Sequence, residues 1–273
     1  MTNDDALSSL AADALGDPEL QAALADREAQ QVAQELGDVD AIDFGVPGAA
    51  EHVSARAYAL IVQHETGGRA YYEQVYKSRP VWPTGSSGIT IGFGYDLGYI
   101  GLAEFQRDWG GLEGAIQARL LLYLGRHGGT VPDSALTAGA AALADIRIAW
   151  DAAETVFKAA TLPKFAGLTS RSLPRCDEVP DDCFGALVSL TFNRGASYSV
   201  PFHPDTDSLD RYREMRAIYA AMDAQRFAEV PGLMRAMKRI WAGKAIEAEM
   251  SKRRDDEADL FRDGLAELQV ASH

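Results

Sequence analysis

The chain is poor in the residues that usually build disulfide frameworks and metal sites. Its 273 residues include two cysteines, Cys176 and Cys183, and five histidines. A Pro-containing loop separates the two thiols, and two separate free thiols are favoured over one small disulfide loop. His64 has no second histidine four residues further on, so a zinc-protease helix is absent. The sequence therefore predicts no metal site and no cofactor.

Long apolar runs are also missing. No stretch reaches the length needed to cross a membrane. The first five residues are acidic rather than basic, and no apolar segment follows them. The sequence therefore predicts neither a membrane-spanning helix nor a secretory signal peptide.

Basic residues are scarce in one part of the chain. The formal net charge is −14, and residues 1–51 carry −11 of it, with twelve acidic residues against the single base Arg27. The remainder is nearly neutral and has no basic stripe. A protein that binds nucleic acid needs such a stripe to displace phosphate counterions, so we expect no nucleic-acid partner.

The acidic segment 1–51 is predicted to be a tail and linker with one possible helix, ahead of a single domain over residues 52–273. Asp17 and Pro18 are suited to start a helix, as cap and first helical residue. Residues 38–50 contain Gly and Pro and are typical of a linker. The segment is either a solubilising tail or a docking and delivery segment for a partner. Its narrow apolar stripe consists of Leu20, Leu24, Val32 and Leu36.

A glycine-rich stretch from Gly88 to Gly98 dominates the rest of the chain. Apolar residues alternate with small ones, which predicts a short half-buried strand with Thr90 pointing away from the core. Glycines at alternate positions indicate that a ligand or another backbone comes close. We interpret the stretch as the floor of a cleft. The alternating apolar residues are Ile89, Ile91 and Phe93.

A helix is predicted just upstream of this stretch. Ser54 is a suitable N-cap, and Gly67 and Gly68 are suitable helix terminators. Glu65 lies on the last turn, where the negative end of the helix dipole opposes ionisation. It shares one side of the predicted helix with Tyr58, Ile61 and Val62.

Two carboxylates in these positions fit the chemistry of glycoside hydrolysis. That reaction needs a protonated acid at the leaving oxygen and an ionised partner opposite it, and Glu65 and Asp96 are suited to these roles. Each residue alone has a simpler reading. A glutamate at a helix end is commonly a solvated surface residue, and Asp-Leu-Gly after a strand commonly forms a turn.

The same residues resemble the phage-type lysozymes and, in particular, the pesticin-like muramidase domain. The match consists of Glu65-Thr66-Gly67, then Gly-x-Thr-Ile-Gly-x-Gly from Gly88 to Gly94, then Asp96 six residues after Thr90. Most phage-type lysozymes have the aspartate before the threonine. This chain has Tyr76-Lys77-Ser78 there, and it is therefore similar to the pesticin-like version.

The resemblance extends to the C-terminal part of the chain. The run Ala186–Gly195 is similar to the central helix of these lysozymes, and Met250–Phe261 resembles their closing Arg-Arg-x-x-Glu-x-x-Leu-Phe segment. The resemblance implies that Asn193 and Tyr95 contact the substrate and that Arg253 or Arg254 supports the catalytic glutamate. The alternatives are a helix-capping Asn193 and a solvated charged helix face.

The resemblance also implies a function. It predicts a mostly α, α+β lysozyme-like fold with a small β-hairpin or sheet flanking the cleft and a helical lobe. The implied activity is cleavage of the MurNAc-β-1,4-GlcNAc bond of peptidoglycan, with Glu65 as acid, Asp96 as second carboxylate and Thr90 positioning a water. The partner would be the glycan strand, reached from the cytoplasm after release or export.

Two other functions stay open at this point. A lytic transglycosylase can work with one glutamate, and a non-catalytic glycan-binding or phage structural module can keep a lysozyme fold. The biological setting is equally open between a phage endolysin, a bacteriocin and a secreted antibacterial effector.

Periodicity predicts several further helices. One contains Leu112 to Leu124 and ends at Gly125 or Gly128-Gly129. Others are expected over the segments 135–144, 149–160, 181–192, from Asp207 or Ser208 onward, 227–241 with an interruption at Pro231-Gly232, and 245–268.

Overall fold

The computed structural model describes residues 48–85, 87–205 and 207–271. The predicted helix starting at Asp17 lies outside the described residues. So does the predicted linker up to residue 47.

The described residues form two compact units. We call residues 62–162 the hairpin unit, and residues 48–61 with 163–271 the helical unit. Helices dominate the described residues, and a two-stranded antiparallel sheet accompanies them, so the predicted α+β, mostly α class is confirmed. No helix in the described ranges is long and apolar enough to span a membrane.

The hairpin unit consists of short helices and one β-hairpin. Short 3-10 turns at Leu97–Tyr99 and Leu121–Tyr123 and a π-helical segment at Phe157–Thr161 accompany the regular elements. The regular elements are the end of α1 (Ala55–Thr66), α2 (Arg69–Gln74), β1 (Thr90–Ile91), β2 (Tyr95–Asp96), α3 (Leu102–Trp109), α4 (Gly114–Leu120), α5 (Asp133–Ala142) and α6 (Trp150–Val156).

The turn of the β-hairpin reaches into the aromatic core of this unit. Phe93, which lies in the turn, is 2% exposed. Its ring centroid is 4.5 Å from that of Trp150, 5.5 Å from Tyr72 and 5.7 Å from Phe157. Tilted and edge-on pairs at these distances stabilise a core beyond the area they bury. The hairpin is therefore anchored by its turn.

The helical unit is built around α8 (Asp181–Arg194), in which every residue from Asp182 onward is buried. This helix packs against α11, which also packs against α10. Gly185 permits a close crossing with α1, because a Cβ there would lie 2.1 Å from the Cβ of Ala57. The other elements are the start of α1, α7 (Leu162–Ser172, apart from its first residue), α9 (Arg213–Asp223), α10 (Val230–Ala236), α11 (Glu247–Ala271) and 3-10 turns at Ala49–His52, Cys176–Glu178, Phe227–Glu229 and Met237–Ile240.

Two helix predictions in the helical unit were wrong. The helix expected from Asp207 or Ser208 begins at Arg213, because the Asp207 carboxylate instead accepts the N–H of Arg211 at 2.6 Å in the preceding turn. Pro231-Gly232 does not interrupt a helix but lies in the first turn of α10. Proline is tolerated there because its missing N–H has no intrahelical partner.

Two other helices differ in length from the prediction. The helix expected over 149–160 continues through the π-helical segment and α7 to Ser172. The wider π turn lies just before Pro163, which lacks an N–H for a regular helical bond. The helix expected from Leu112 begins at Gly114, and its 3-10 continuation ends at Tyr123, just before Gly125, as predicted.

Candidate active site

Glu65 lies on the last turn of α1, and the predicted ends of this helix are confirmed. The Ser54 hydroxyl caps the helix by accepting the N–H of Ala57 at 3.0 Å. Gly67 and Gly68 stop it with left-handed φ values of 67° and 89°. Glu65 is half-buried and belongs to the hairpin unit. The residue therefore lies at the helix end and keeps part of its surface exposed.

The glycine-rich stretch is a hairpin rather than the single strand predicted. Gly92 and Gly94 adopt φ values of 57° and 78°, which reverse the chain between β1 and β2. Glycine enters this region without the strain that a Cβ would cause. The reversal pairs Thr90 with Asp96 across the two strands. The structure thus brings these two predicted site residues together.

A third chain segment, which contains Val81, pairs with Thr90 on the side opposite Asp96. Val81 and Thr90 form an antiparallel bridge, with N···O distances of 3.0 and 2.7 Å. Val81, Thr90 and Asp96 therefore lie side by side across three segments. Thr90 is only 6% exposed, so the expectation that it points away from the core was wrong.

The Asp96 carboxylate is held by backbone N–H groups. Its Oδ1 accepts the N–H of Gly98 at 2.8 Å, and the N–H of Gly88 is shared between Oδ1 and Oδ2 at 3.1 Å each. The first bond caps the 3-10 turn Leu97–Tyr99, which is the turn that Asp-Leu-Gly commonly forms. Hydrogen bonds from N–H groups to an ionised carboxylate are stronger than neutral ones. The Asp96 side chain is therefore held in place and half-buried.

The glycines at the two ends of the stretch allow a close backbone approach. A Cβ on Gly88 would lie 2.6 Å from the Gly98 backbone and from the Arg126 carbonyl oxygen. A Cβ on Gly98 would lie 2.7 Å from the Cβ of His127. The sequence left open whether a ligand or another backbone comes close to these glycines. At Gly88 and Gly98 the structure shows another backbone.

Tyr95 is a buried residue of the hairpin. Its hydroxyl donates to Asp108 Oδ2 at 2.8 Å, and its ring packs edge-on against Trp109 with centroids 5.6 Å apart. Burial and the bond to Asp108 raise the pKa of Tyr95 well above its ordinary value. Its side chain is 6% exposed. The hydroxyl is thus engaged within the protein, and its predicted contact with substrate stays a prediction.

The other predicted residues meet in a buried network of the helical unit. Asn193 Oδ1 accepts from Arg254 Nη2 at 3.0 Å, and the same nitrogen is 2.9 Å from Glu257 Oε1. Arg253 Nε lies 3.2 Å from that carboxylate oxygen. The Ser189 hydroxyl donates to it as well, at 2.7 Å. Four side chains thus converge around Glu257, three of them by direct bonds to one oxygen.

This network shows that three charged residues of α11, Arg253, Arg254 and Glu257, are buried. It also contains two residues, Ser189 and Glu257, that were not predicted site residues. Arg254 and Glu257 are 0% exposed and Arg253 is 4% exposed, so these residues are not a solvated charged helix face. No role was predicted for Ser189, or for Glu257, which is the glutamate of the Arg-Arg-x-x-Glu pattern. Glu257 had a signal, since it stands three and four residues after the two arginines, where helical side chains meet.

Trp241 adds a second type of contact to the same network. The Arg254 guanidinium lies 5.7 Å from its ring centroid, and Arg194 lies 5.5 Å away. Cations over an indole ring at this distance are attracted by its electron-rich face. Arg254 is therefore held by both the Glu257 carboxylate and an aromatic ring.

An open cavity of about 670 Å³ lies elsewhere in the helical unit. Its wall includes His52, Arg171, Arg175 and Tyr219, and none of the predicted site residues lines it. Two of its polar groups have local partners, since His52 Nδ1 lies 3.4 Å from Asp181 and Arg175 pairs with Glu178 at 2.7 Å.

The predicted free thiols are confirmed. Cys183 is buried, Cys176 is half-buried, and neither forms a disulfide. Burial raises the pKa of each thiol to about 12. Within the described part of the chain, no group of three or more His, Cys, Asp or Glu side chains is arranged to hold a metal ion.

Comparisons with known proteins do not identify the chain. No model of a known protein family matches it, and no curated protein or solved structure matches it.

Proposed function

We propose that this protein is a peptidoglycan hydrolase, an N-acetylmuramidase that cleaves the MurNAc-β-1,4-GlcNAc bond. The observation that carries the proposal is the pairing of Thr90 with a fixed Asp96 carboxylate across the hairpin. Glu65 belongs to the same compact unit. The spacing of these three residues is also the part of the sequence that resembles the pesticin-like muramidase domain.

In this proposal the carboxyl groups of Glu65 and Asp96 have different roles. Glu65 donates its proton to the leaving glycosidic oxygen as the bond breaks. Asp96 stays ionised, stabilises the oxocarbenium-like transition state and accepts a proton from the attacking water. Thr90, opposite Asp96, orients that water through its hydroxyl. The products are two shorter glycan strands, one with a new reducing end.

One observation favours a second candidate, a lytic transglycosylase. Both oxygens of Asp96 already accept backbone hydrogen bonds, and one of these bonds caps a turn. A purely structural Asp96 would leave Glu65 as the single acid and base. The muramic acid C6 hydroxyl would then attack in place of water and give a 1,6-anhydro end.

The test is release of soluble fragments from purified sacculi, followed by analysis of the fragment ends. Wild-type protein is expected to clear the suspension and to produce reducing ends. Glu65→Gln keeps the shape of the side chain but cannot donate the proton, and the rate should fall by about 10²–10⁴-fold. Glu73→Gln is the matched control, because Glu73 is exposed on α2 and pairs with the exposed Arg69 at 2.8 Å.

Each result has a clear reading. Anhydro ends would replace the hydrolase with the transglycosylase. No fragment release by wild-type protein would favour a glycan-binding or structural module. Activity of Glu65→Gln within a few-fold of wild type would remove Glu65 from the acid role. Equal losses in Glu65→Gln and Glu73→Gln would point to a general loss of structure.

A further inference from the structure

Two aromatic side chains, Trp82 and His127, are tied to the backbone that holds Asp96. The Trp82 indole donates its N–H to the Ser87 carbonyl oxygen at 2.9 Å. The N–H of Gly128 donates to the same oxygen at 3.2 Å, and His127 forms an antiparallel bridge with Gly88. Because the Gly88 N–H reaches the Asp96 carboxylate, the indole, the imidazole and the carboxylate share one short piece of backbone.

Tyr99 adds a third ring at the same place. It ends the 3-10 turn that Asp96 caps, and its ring stacks on His127 with centroids 4.3 Å apart and planes 21° apart. Its hydroxyl is 3.2 Å from His127 Nδ1. The missing Cβ of Gly98 lets this ring pair pack directly against the turn. All three rings are half-buried, so each keeps exposed surface.

The contacts of His127 also bear on which of its ring nitrogens can accept a hydrogen bond from a ligand. Nδ1 lies 2.9 Å from the Gly128 carbonyl oxygen, which can only accept a hydrogen bond. In the neutral tautomer that donates to this oxygen, Nδ1 carries the proton and Nε2 carries the lone pair. Nε2 has no hydrogen-bond partner among the described residues. It is placed to accept from a hydroxyl or amide N–H of a ligand.

We propose that Trp82, Tyr99 and His127 form a glycan-binding subsite beside Asp96. Flat aromatic faces pack well against the C–H face of a pyranose ring, and their polar edges fix its orientation. The ligand class is an N-acetylated amino sugar, whose hydroxyl and acetamido N–H groups match the Nε2 acceptor. The ligand class rests on the proposed function, whereas the ring cluster is independent of it. The subsite positions one sugar against the carboxylate.

The experiment measures binding of the N-acetylglucosamine tetramer to the full chain by calorimetry, alongside sacculus hydrolysis. Trp82→Ala and His127→Ala are each expected to weaken association by about five- to tenfold. They should raise KM by a similar factor and change kcat little. Trp82→Phe and His127→Phe keep an aromatic face and should recover most of the affinity. Tyr219→Ala and His203→Ala, at exposed positions of the helical unit, are the matched controls and should bind as wild type.

A second measurement needs no substitution. The imidazole proton resonances of His127 in the wild-type protein should shift when the tetramer is added. The subsite is overturned if the tetramer does not bind, if those resonances do not move, or if both alanine variants bind as wild type. Hydrolysis with unchanged KM in these variants would overturn the subsite and leave the proposed function standing. Tetramer binding that depends on Trp82, with no fragment release from sacculi, would support the subsite and contradict the hydrolase.

Discussion

The two compact units hold their central carboxylates in opposite ways. In the hairpin unit, Asp96 is half-buried and bound by the backbone N–H groups of Gly88 and Gly98. In the helical unit, Glu257 is 0% exposed and bound by side chains, including those of Arg253 and Arg254. One carboxylate faces partners that mutation of side chains cannot remove, and the other depends on its neighbours.

This difference separates two uses of a charged group. A buried ion network is costly to disturb, because removing one member leaves the other charges without compensation. A carboxylate held by backbone at the edge of a unit keeps its position and its charge and still meets solvent, which suits a ligand-binding or catalytic group. We therefore expect mutations in the helical unit to act on stability and mutations in the hairpin unit to act more on activity.

The largest effect is expected for Glu257→Leu. The substitution removes the carboxylate shared by two buried guanidinium groups and the Ser189 hydroxyl. The free energy of unfolding should fall by about 3–5 kcal/mol. Urea unfolding followed by circular dichroism measures it.

The matched control for this variant is Lys252→Ala on the same helix. Lys252 pairs with Asp256 on the exposed side of α11. Such surface pairs contribute little, so the unfolding midpoint should hardly move. A loss in Glu257→Leu no larger than in Lys252→Ala would show that the buried network is not a stabilising element.

A smaller loss is expected for Gly98→Ala. The new Cβ would lie 2.7 Å from the Cβ of His127 and 2.9 Å from the Arg126 carbonyl oxygen. Overpacking of this kind typically costs about 1–3 kcal/mol. Gly114→Ala is the control, since nothing lies within 4 Å of its added Cβ. Equal thermal midpoints for the two variants would contradict the close approach.

Two substitutions of Asp96 distinguish its role as the cap of the 3-10 turn from the role of its negative charge in hydrolysis. Asp96→Ala removes the cap and should cost about 1 kcal/mol. Asp96→Asn keeps an oxygen that can accept from Gly98, while its NH2 group would face the Gly88 N–H, so its stability should fall less than that of Asp96→Ala. If the charge is needed for hydrolysis, both variants should nevertheless lose about 10²-fold or more of the rate. Full activity of Asp96→Asn would assign Asp96 a structural role only.

The smallest effect concerns the thiols of the helical unit. Burial raises the pKa of Cys176 and of Cys183 to about 12, so both thiols stay protonated at pH 8. Only the thiolate reacts with iodoacetamide, and alkylation of the folded protein should be much slower than that of the urea-unfolded chain. Mass spectrometry of alkylated peptides measures the two rates. Rapid labelling of the folded protein at pH 8 would contradict the burial of these groups.

Local sequence signals predicted much of the helical part. The Ser54 cap, the Gly67-Gly68 stop and the buried helix α8 followed from residues within a few positions of one another. The glycine-rich stretch was read as one strand, because alternation alone does not distinguish an extended chain from a tight reversal. In the structure, left-handed φ values at Gly92 and Gly94 reverse the chain and form the hairpin.

The sequence by itself determined which residues carry charge, where most helices begin and end, and that Glu65, Thr90 and Asp96 occur at suggestive spacings. Only the tertiary structure decided that Thr90 is paired with Asp96 and buried. It also decided that Arg254 bonds to Asn193, 61 positions away in the chain. The physical reason is that caps and helix ends depend on bonds between near neighbours. The environment of a buried charge depends on which distant segments pack around it.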